Sequence, residues 1–210
     1  LRERSCGLNN LKKLVYLISP IKIYKNFYKD LDKVLKVKNV EFFQLRLKNI
    51  SKKKIILISK KIKKITDKYK VKFIINDYYK IVKIVKADGC HFGQKDGDFL
   101  KMRKILKKKI VGKTCHNSKL LARKAVKNKA DYIAFGSFYK SKLKPEAIKA
   151  ELSILKWGKR NIKKPIVAIG GINDSNYKNL LNSGAKYIAL SSYIWDNPKL
   201  KPELAIKKFK

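Results

Sequence analysis

Apolar residues fall in short runs about 20–25 positions apart, with longer amphipathic stretches between them. The runs are LVYLIS (14–19), EFFQLR (41–46), KFIIN (72–76), GCHF (89–92), IVGKT (110–114), YIAFG (132–136), PIVAIG (165–170) and YIALS (187–191). Their brevity and their β-branched and aromatic content are those of strands. The stretches between them have helical spacing. In 51–69 Ile55, Ile58, Ile62 and Ile65 recur on one face. In 118–129 Leu120, Leu121, Ala125 and Val126 do so, with Ser118 at the N-cap position. Strands alternating with helices in this way predict an α/β fold, either a closed barrel or a doubly wound sheet. No strand is followed by a G-x-G-x-x-G turn, which weighs against the dinucleotide-binding sheet. The expected fold is therefore a single (β/α)8 TIM barrel over 1–210, with residues up to about 12 a disordered N-terminal extension.

One strand departs from a purely apolar pattern. In EFFQLRLK (41–48), Glu41, Phe43, Leu45 and Leu47 share one face, and Phe42, Gln44, Arg46 and Lys48 share the other. A barrel explains such a face if it leads to chemistry, because barrel active sites gather at the C-terminal ends of strands. The other predicted strand ends are also polar or glycine-rich. They carry Asn76-Asp77, Gly93-Gln94-Lys95-Asp96, Thr114-Cys115-His116, the loop 136–147, Gly170-Gly171 and Ser191-Ser192.

Composition changes this picture only slightly. There are 54 basic and 15 acidic residues, a formal charge of +39, which raises nucleic-acid binding as a reading. The lysines run the length of the chain, however, and the few arginines (Arg2, Arg4, Arg46, Arg103, Arg123 and Arg160) are scattered. Weak, salt-sensitive binding to polyanions is expected, without a specific nucleic-acid partner. No apolar run approaches the roughly 18 residues of a membrane span, and the charged first residues have no apolar stretch behind them. Cys6, Cys90 and Cys115 are too few and too scattered for a disulfide framework, so a reducing cytoplasm is expected.

The strand ends suggest several chemistries. Gly170-Gly171 and Ser191-Ser192 stand where barrels commonly bind phosphate, although a glycine pair also simply makes a tight turn. Arg46 and Lys48 suit a second anion, with Gln44 deeper in the mouth. Asp77 and Asp96 suit Mg2+, which needs only one or two carboxylates beside phosphate and water; a general acid/base pair, or a helix cap and a solvated loop, fit the spacing as well. Cys90-His91 and Cys115-His116 resemble zinc ligands, but adjacent strand residues face opposite ways and each dipeptide offers one inward ligand.

Taken in order, QLRLK (44–48), IIND (74–77), DGCHFGQKD (88–96), GKTCHN (112–117), ADYIAFG (130–136), KP (144–145), VAIGGI (167–172) and SGAKYIALSS (183–192) resemble the thiamine phosphate synthase family, which also contains the thiazole tautomerase. The resemblance runs from about Val15 to Ile194. It implies condensation of a hydroxymethylpyrimidine diphosphate with a thiazole phosphate, with release of pyrophosphate, by a monomer or small homo-oligomer. By the same resemblance Gln44, Leu45, Arg46, Leu47, Lys48, Asn76, Thr114 and Lys144 line the pyrimidine diphosphate, and Arg46, Lys48, Thr114 and Lys144 carry catalysis. Asp77 and Asp96 would hold Mg2+; Ser141, Leu143, Gly171, Ser191 and Ser192 would surround the thiazole phosphate. The chain departs from the family in the loop after 136, where Ser141 and Leu143 stand for two threonines and Ser137, Lys140 and Lys142 for prolines. It departs again at Ser19-Pro20. A tautomerase, which needs neither diphosphate nor Mg2+, a catalytically diverged member and a basic nucleic-acid-binding protein are the alternatives.

Overall fold

Each predicted strand forms, and the strands pair edge to edge in chain order until the last meets the first. A computed structural model describes residues 13–94, 97–140 and 149–210 of the chain. Its strands are β1 (Val15–Ile18), β2 (Val40–Leu45), β3 (Lys72–Asn76), β4 (Gly89–Phe92), β5 (Ile110–His116), β6 (Tyr132–Gly136), β7 (Ile166–Ile169) and β8 (Tyr187–Leu190). All pairs are parallel, and β1 pairs with β8 through Val15–Ile188, Tyr16–Ala189 and Leu17–Leu190, which closes the barrel. The helices are α1 (Phe27–Leu35), α2 (Lys52–Lys68), α3 (Tyr79–Ile84), α4 (Phe99–Leu106), α5 (Lys119–Lys127), α6 (Leu152–Asn161), α7 (Tyr177–Ser183), α8 (Ser192–Trp195) and α9 (Pro202–Ala205). The expected N-terminal extension, residues 1–12, lies outside the described residues.

Side-chain alternation sorts the core into two layers. Tyr16, Ile18, Phe42, Ile74, Tyr132, Ala134, Val167, Tyr187 and Ala189 fill the barrel. Their neighbours in sequence, such as Leu17, Phe43, Phe73, Ile133 and Ile188, pack outward against the helices. The interior is largely aromatic at one level: Phe42 stacks on Tyr16 at 5.2 Å and meets Tyr187 edge-on at 5.3 Å. It is a packed plug, so ligands reach only its upper end.

Helix α2 buries Ile55, Ile58 and Ile62 as the spacing predicts, and the Ser51 hydroxyl accepts the amide of Lys54. Helix α5 has its expected cap, Ser118 accepting the amide of Leu121, but its buried face is shifted away from Leu120 toward Ala122. Ala122 and Ala125 are buried, Leu121 and Val126 are half-buried, and Leu120 is 75% exposed. The helix lies close to β5 and β6, and small side chains are what fit between them.

At the lower end of the barrel one device occurs twice. Asp88, just before β4, accepts the amide of Phe73 in β3 at 2.8 Å, and Asp131, just before β6, accepts the amide of Val111 in β5 at 2.8 Å. Each carboxylate satisfies the amide of the second residue of the strand that precedes its own. The chain end closes the same face. Asn39 donates from Nδ2 to the carbonyls of Ile206 and Phe209, and the Phe209 ring sits between Tyr177 and Tyr193 at 5.1 and 5.3 Å.

Candidate active site

The upper ends of β2 to β5 bring together most of the polar residues singled out in the sequence. Gln44 is the last inward side chain of β2 and is only 2% exposed. Beyond it Arg46 is half-buried and Lys48 is exposed. Among the described residues neither cation has an ion-pair partner, so both remain available to an anion at the mouth. Leu45 and Leu47 turn the other way and are buried in the layer between barrel and helices, so only their backbone is offered to a ligand. The two faces of EFFQLRLK thus divide as the alternation requires.

Asn76 ends β3 buried, in register with His91 of β4. Asp77 follows at φ +64°, its amide donating to the carbonyl of His91 at 2.9 Å, and is half-buried. That turn is what brings a carboxylate to the mouth directly after a buried strand. Among the described residues no three His, Cys, Asp or Glu side chains come together, so there is no donor set of the zinc or calcium kind. A single carboxylate beside uncommitted cations fits Mg2+, which takes one or two carboxylates and completes its shell with water and phosphate oxygens. Asp96 lies outside the described residues, as do Ser141, Leu143 and Lys144.

The last inward side chain of β5 is Thr114, whose hydroxyl meets His91 Nε2 at 2.8 Å. His91 points into the barrel and Cys90 outward into the core, as their alternation demands. Cys115 is likewise buried outward, where burial pushes its thiol up to about 12. His116 follows a break in the β5–β6 register and has φ +50°.

Opposite these residues, Gly170 and Gly171 leave β7 with φ of +105° and +61°. A Cβ on Gly170 would lie 1.9 Å from Ser137 Oγ, and one on Gly171 2.4 Å from the Lys140 carbonyl. Both glycines are therefore required by the loop after β6 packing over them, whatever ligand the turn serves. Ser191 precedes the short α8 and donates from Oγ to the Ser19 carbonyl at 3.0 Å; Ser192 is half-buried beside it.

Residues so far without an assigned role hold the mouth together. Ser19 receives the amide of Arg46 on its hydroxyl at 3.0 Å, donates its own amide to the Gln44 carbonyl at 2.9 Å and accepts Ser191 on its carbonyl. It ties the end of β2 to the end of β8. Lys113, 8% exposed, donates to the Gly93 carbonyl at 2.6 Å and lies over the Phe99 ring, anchoring the loop after β4. Gln94 of that loop donates to the Thr114 carbonyl. Tyr16 and Tyr132 join hydroxyls at 2.7 Å inside the barrel. Burial pushes both hydroxyls well above the usual phenol value, so both keep their protons. The inward parity of Tyr16 and Tyr132 was the available signal, but an aromatic in a strand reads first as packing.

The chain is similar to known proteins over most of its length. Residues 15–194 match the family described as thiamine monophosphate synthase. A thiamine-phosphate synthase of Pelagibacter ubique is 56% identical over 200 residues, covering 95% of this chain and 97% of that protein. One from Erythrobacter litoralis is 36% identical, covering 86% and 87%. Among solved structures, the thiamine phosphate pyrophosphorylase from Pyrococcus furiosus superposes with a TM-score of 0.83 at 27% identity, covering 95% of this chain and 94% of that one. The chain belongs to the thiamine monophosphate synthase family of transferases.

Proposed function

We propose that the protein condenses hydroxymethylpyrimidine diphosphate with a thiazole phosphate, carboxylated or not, to thiamine phosphate and pyrophosphate. The observation that carries the reading is the convergence of Gln44, Arg46, Asn76, Asp77 and Thr114 on adjacent strand ends, facing the Gly171 and Ser191 turns across the mouth. Diphosphate leaves when the charge that develops on it is met by fixed cations. Arg46 and Lys48, uncommitted elsewhere, are the described groups suited to this; Lys144 would join them. Asp77 and Asp96 would hold Mg2+, which supplies further charge neutralisation to the diphosphate. Gln44, Asn76 and Thr114 would orient the pyrimidine, and Gly171, Ser191 and Ser192, with Ser141, would hold the thiazole phosphate so that the thiazole nitrogen lies against the pyrimidine methylene carbon. Departure of diphosphate leaves a pyrimidine carbocation that this nitrogen captures, and no protein nucleophile is needed. The buried, protonated Cys115 is consistent with that. A cytoplasmic setting, phosphorylated small molecules as the only specific partners, and a monomer or small homo-oligomer belong to the same proposal.

The test is pyrophosphate release by the purified protein with both substrates, with and without Mg2+. Mg2+-dependent release with matching thiamine phosphate is expected. Arg46→Ala and Asp77→Ala should each lower turnover by about 100-fold or more, and Cys115→Ala by less than about 3-fold. Equal losses in all three would overturn the assignment. Absence of release by a folded protein that binds thiazole phosphate would point instead to a tautomerase or a diverged member.

A further inference from the structure

Lysines spread along the sequence are gathered by the fold. Helices α1 to α7 return the chain to the lower end of the barrel, where seven short segments lead into the next strand: 36–39, 69–71, 85–88, 107–109, 128–131, 162–165 and 184–186. Together these segments hold eleven lysines, no arginine and two carboxylates, and each has at least one lysine. Ten of the eleven lysines are exposed, and among the described residues none of the eleven has an ion-pair partner. The two carboxylates, Asp88 and Asp131, are already held by strand amides and by Lys63 and Arg103. The segments that join each strand to its following helix, at the upper end, instead mix nine cations with six carboxylates. In the remaining sector of the lower end, the chain end held by Asn39 brings Lys207, Lys208 and Lys210 around one cleft with Lys36. The cations thus form a closed ring.

Three of these lysines stand where glycine is the usual residue. Helices α2, α3 and α5 end with an amide bonded back to the carbonyl five residues earlier: Val71 to Thr66, Ala87 to Val82 and Ala130 to Ala125, at 2.9, 2.9 and 3.0 Å. That closure puts the residue before the amide in the left-handed region, and here it is Lys70, Lys86 and Lys129, at φ +54°, +55° and +63°. Helix α7 closes in the same way, Ala185 to Leu180 at 3.0 Å, but with Gly184 at φ +120°. A Cβ is disfavoured at such a position, so three helix ends keep a cation against local preference. The dipole at a helix C-terminus favours a cation, but Lys68, Lys83 and Lys127 in the last turns already meet it.

The seven segments are three or four residues long, so none can project far and the face has low relief. Lysine without arginine suits diffuse attraction to phosphate and not paired contacts with it. A duplex laid across a ring meets only part of it, whereas a flat anionic surface meets the whole. We propose that the lower end of the barrel docks on an anionic phospholipid bilayer, held by charge alone and selecting no headgroup beyond its charge. The mouth, at the opposite end, then faces away from the lipid and stays open to its ligands. The contact is peripheral, since no described helix is long and apolar enough to cross a membrane.

The experiment is cosedimentation of the full chain with phosphatidylcholine vesicles containing about 40% phosphatidylglycerol, in about 0.1 M salt. Binding should be at least about 10-fold tighter than to pure phosphatidylcholine and should weaken as salt rises. Lys70→Gly, Lys86→Gly and Lys129→Gly, combined, should lower the affinity by about 10-fold or more. The urea midpoint of that variant should hold or rise, since glycine fits all three backbone positions, which separates lost charge from lost fold. Lys163→Gln, Lys164→Gln and Lys186→Gln, from another part of the ring, should act alike and carry the test if the first variant does not fold. Lys53→Ala, Lys101→Ala and Lys178→Ala remove the same charge from exposed first turns of α2, α4 and α7, at the upper end, and should lower affinity by less than about 3-fold. Equal losses in the upper and lower variants would mean that net charge binds and not this face, and would overturn the proposal. So would a wild type that ignores anionic vesicles. A duplex of about 20 base pairs, matched in phosphate concentration, should bind less tightly than the vesicles. A duplex that binds more tightly, and is lost with the lower lysines, would make the partner nucleic acid and overturn the assignment to a bilayer.

Discussion

Thr114 and Cys115 are neighbours on β5 with opposite surroundings. Thr114 faces the mouth and is hydrogen-bonded to His91, whereas Cys115 is buried among helices. Burial holds the Cys115 thiol up at about 12 against an ordinary value of 9.0, so it stays protonated and unreactive at neutral pH. Iodoacetamide should leave it unmodified in the native protein and label it fully in urea; rapid native labelling would contradict the burial. The same shift predicts a pH dependence. A group whose folded value is raised contributes stability below its unfolded value and loses it as pH climbs through the folded one. For Cys115 that window opens near 9.0 and runs to about 12, and Tyr16 and Tyr132, also raised by burial, act in the same direction. The urea midpoint should fall steadily above pH 9, and Cys115→Ala should flatten part of that fall. A midpoint flat through this range would mean these groups titrate as if exposed.

Among elements, the repeated carboxylate before a strand offers the cleanest stability test. Asp131 accepts the Val111 amide and also pairs with Arg103 at 2.7 Å, which in turn donates to the Lys109 carbonyl. Asp131→Ala should cost about 1–3 kcal/mol in urea denaturation, because it strands a buried amide, and should leave pyrophosphate release unchanged. The strands themselves were legible in the sequence because alternation and short apolar runs are imposed by burial on both faces. So was the polar end of β2, since parity alone sends Gln44 and Arg46 inward and leaves Leu45 and Leu47 to the core. The face of α5 was not legible: Leu120 outweighs Ala122 in any reading of hydrophobicity, yet the space against β5 and β6 admits only the alanine. The role of Ser19 was not legible either, because it depends on β2 and β8 lying beside β1, which no local pattern reveals. The hydrogen bonds between Tyr16 and Tyr132 and between Tyr132 and His91 were hidden for the same reason, their partners being 116 and 41 positions apart.

For the whole molecule the large positive charge is the property most open to misreading. With 54 basic residues spread along the chain, the protein should retard any nucleic acid at low ionic strength. The interaction should lack sequence preference and vanish by about 0.2 M salt, as fluorescence anisotropy with two unrelated duplexes would show; selective binding surviving that salt would restore the nucleic-acid reading. The barrel closure has another consequence, for the order in which the molecule is made. β1 is among the first described residues to leave the ribosome, and its partner β8 is nearly the last, with the Phe209 clasp on Asn39 later still. Until β8 is made, then, β1 has one open edge, as does whichever strand was made last. The Val15–Ile18 edge is apolar on both faces, the kind that recruits a stray strand. Until β8 has emerged, the growing chain depends on fast helix docking and on the charge of its many lysines to keep that edge from pairing with another chain.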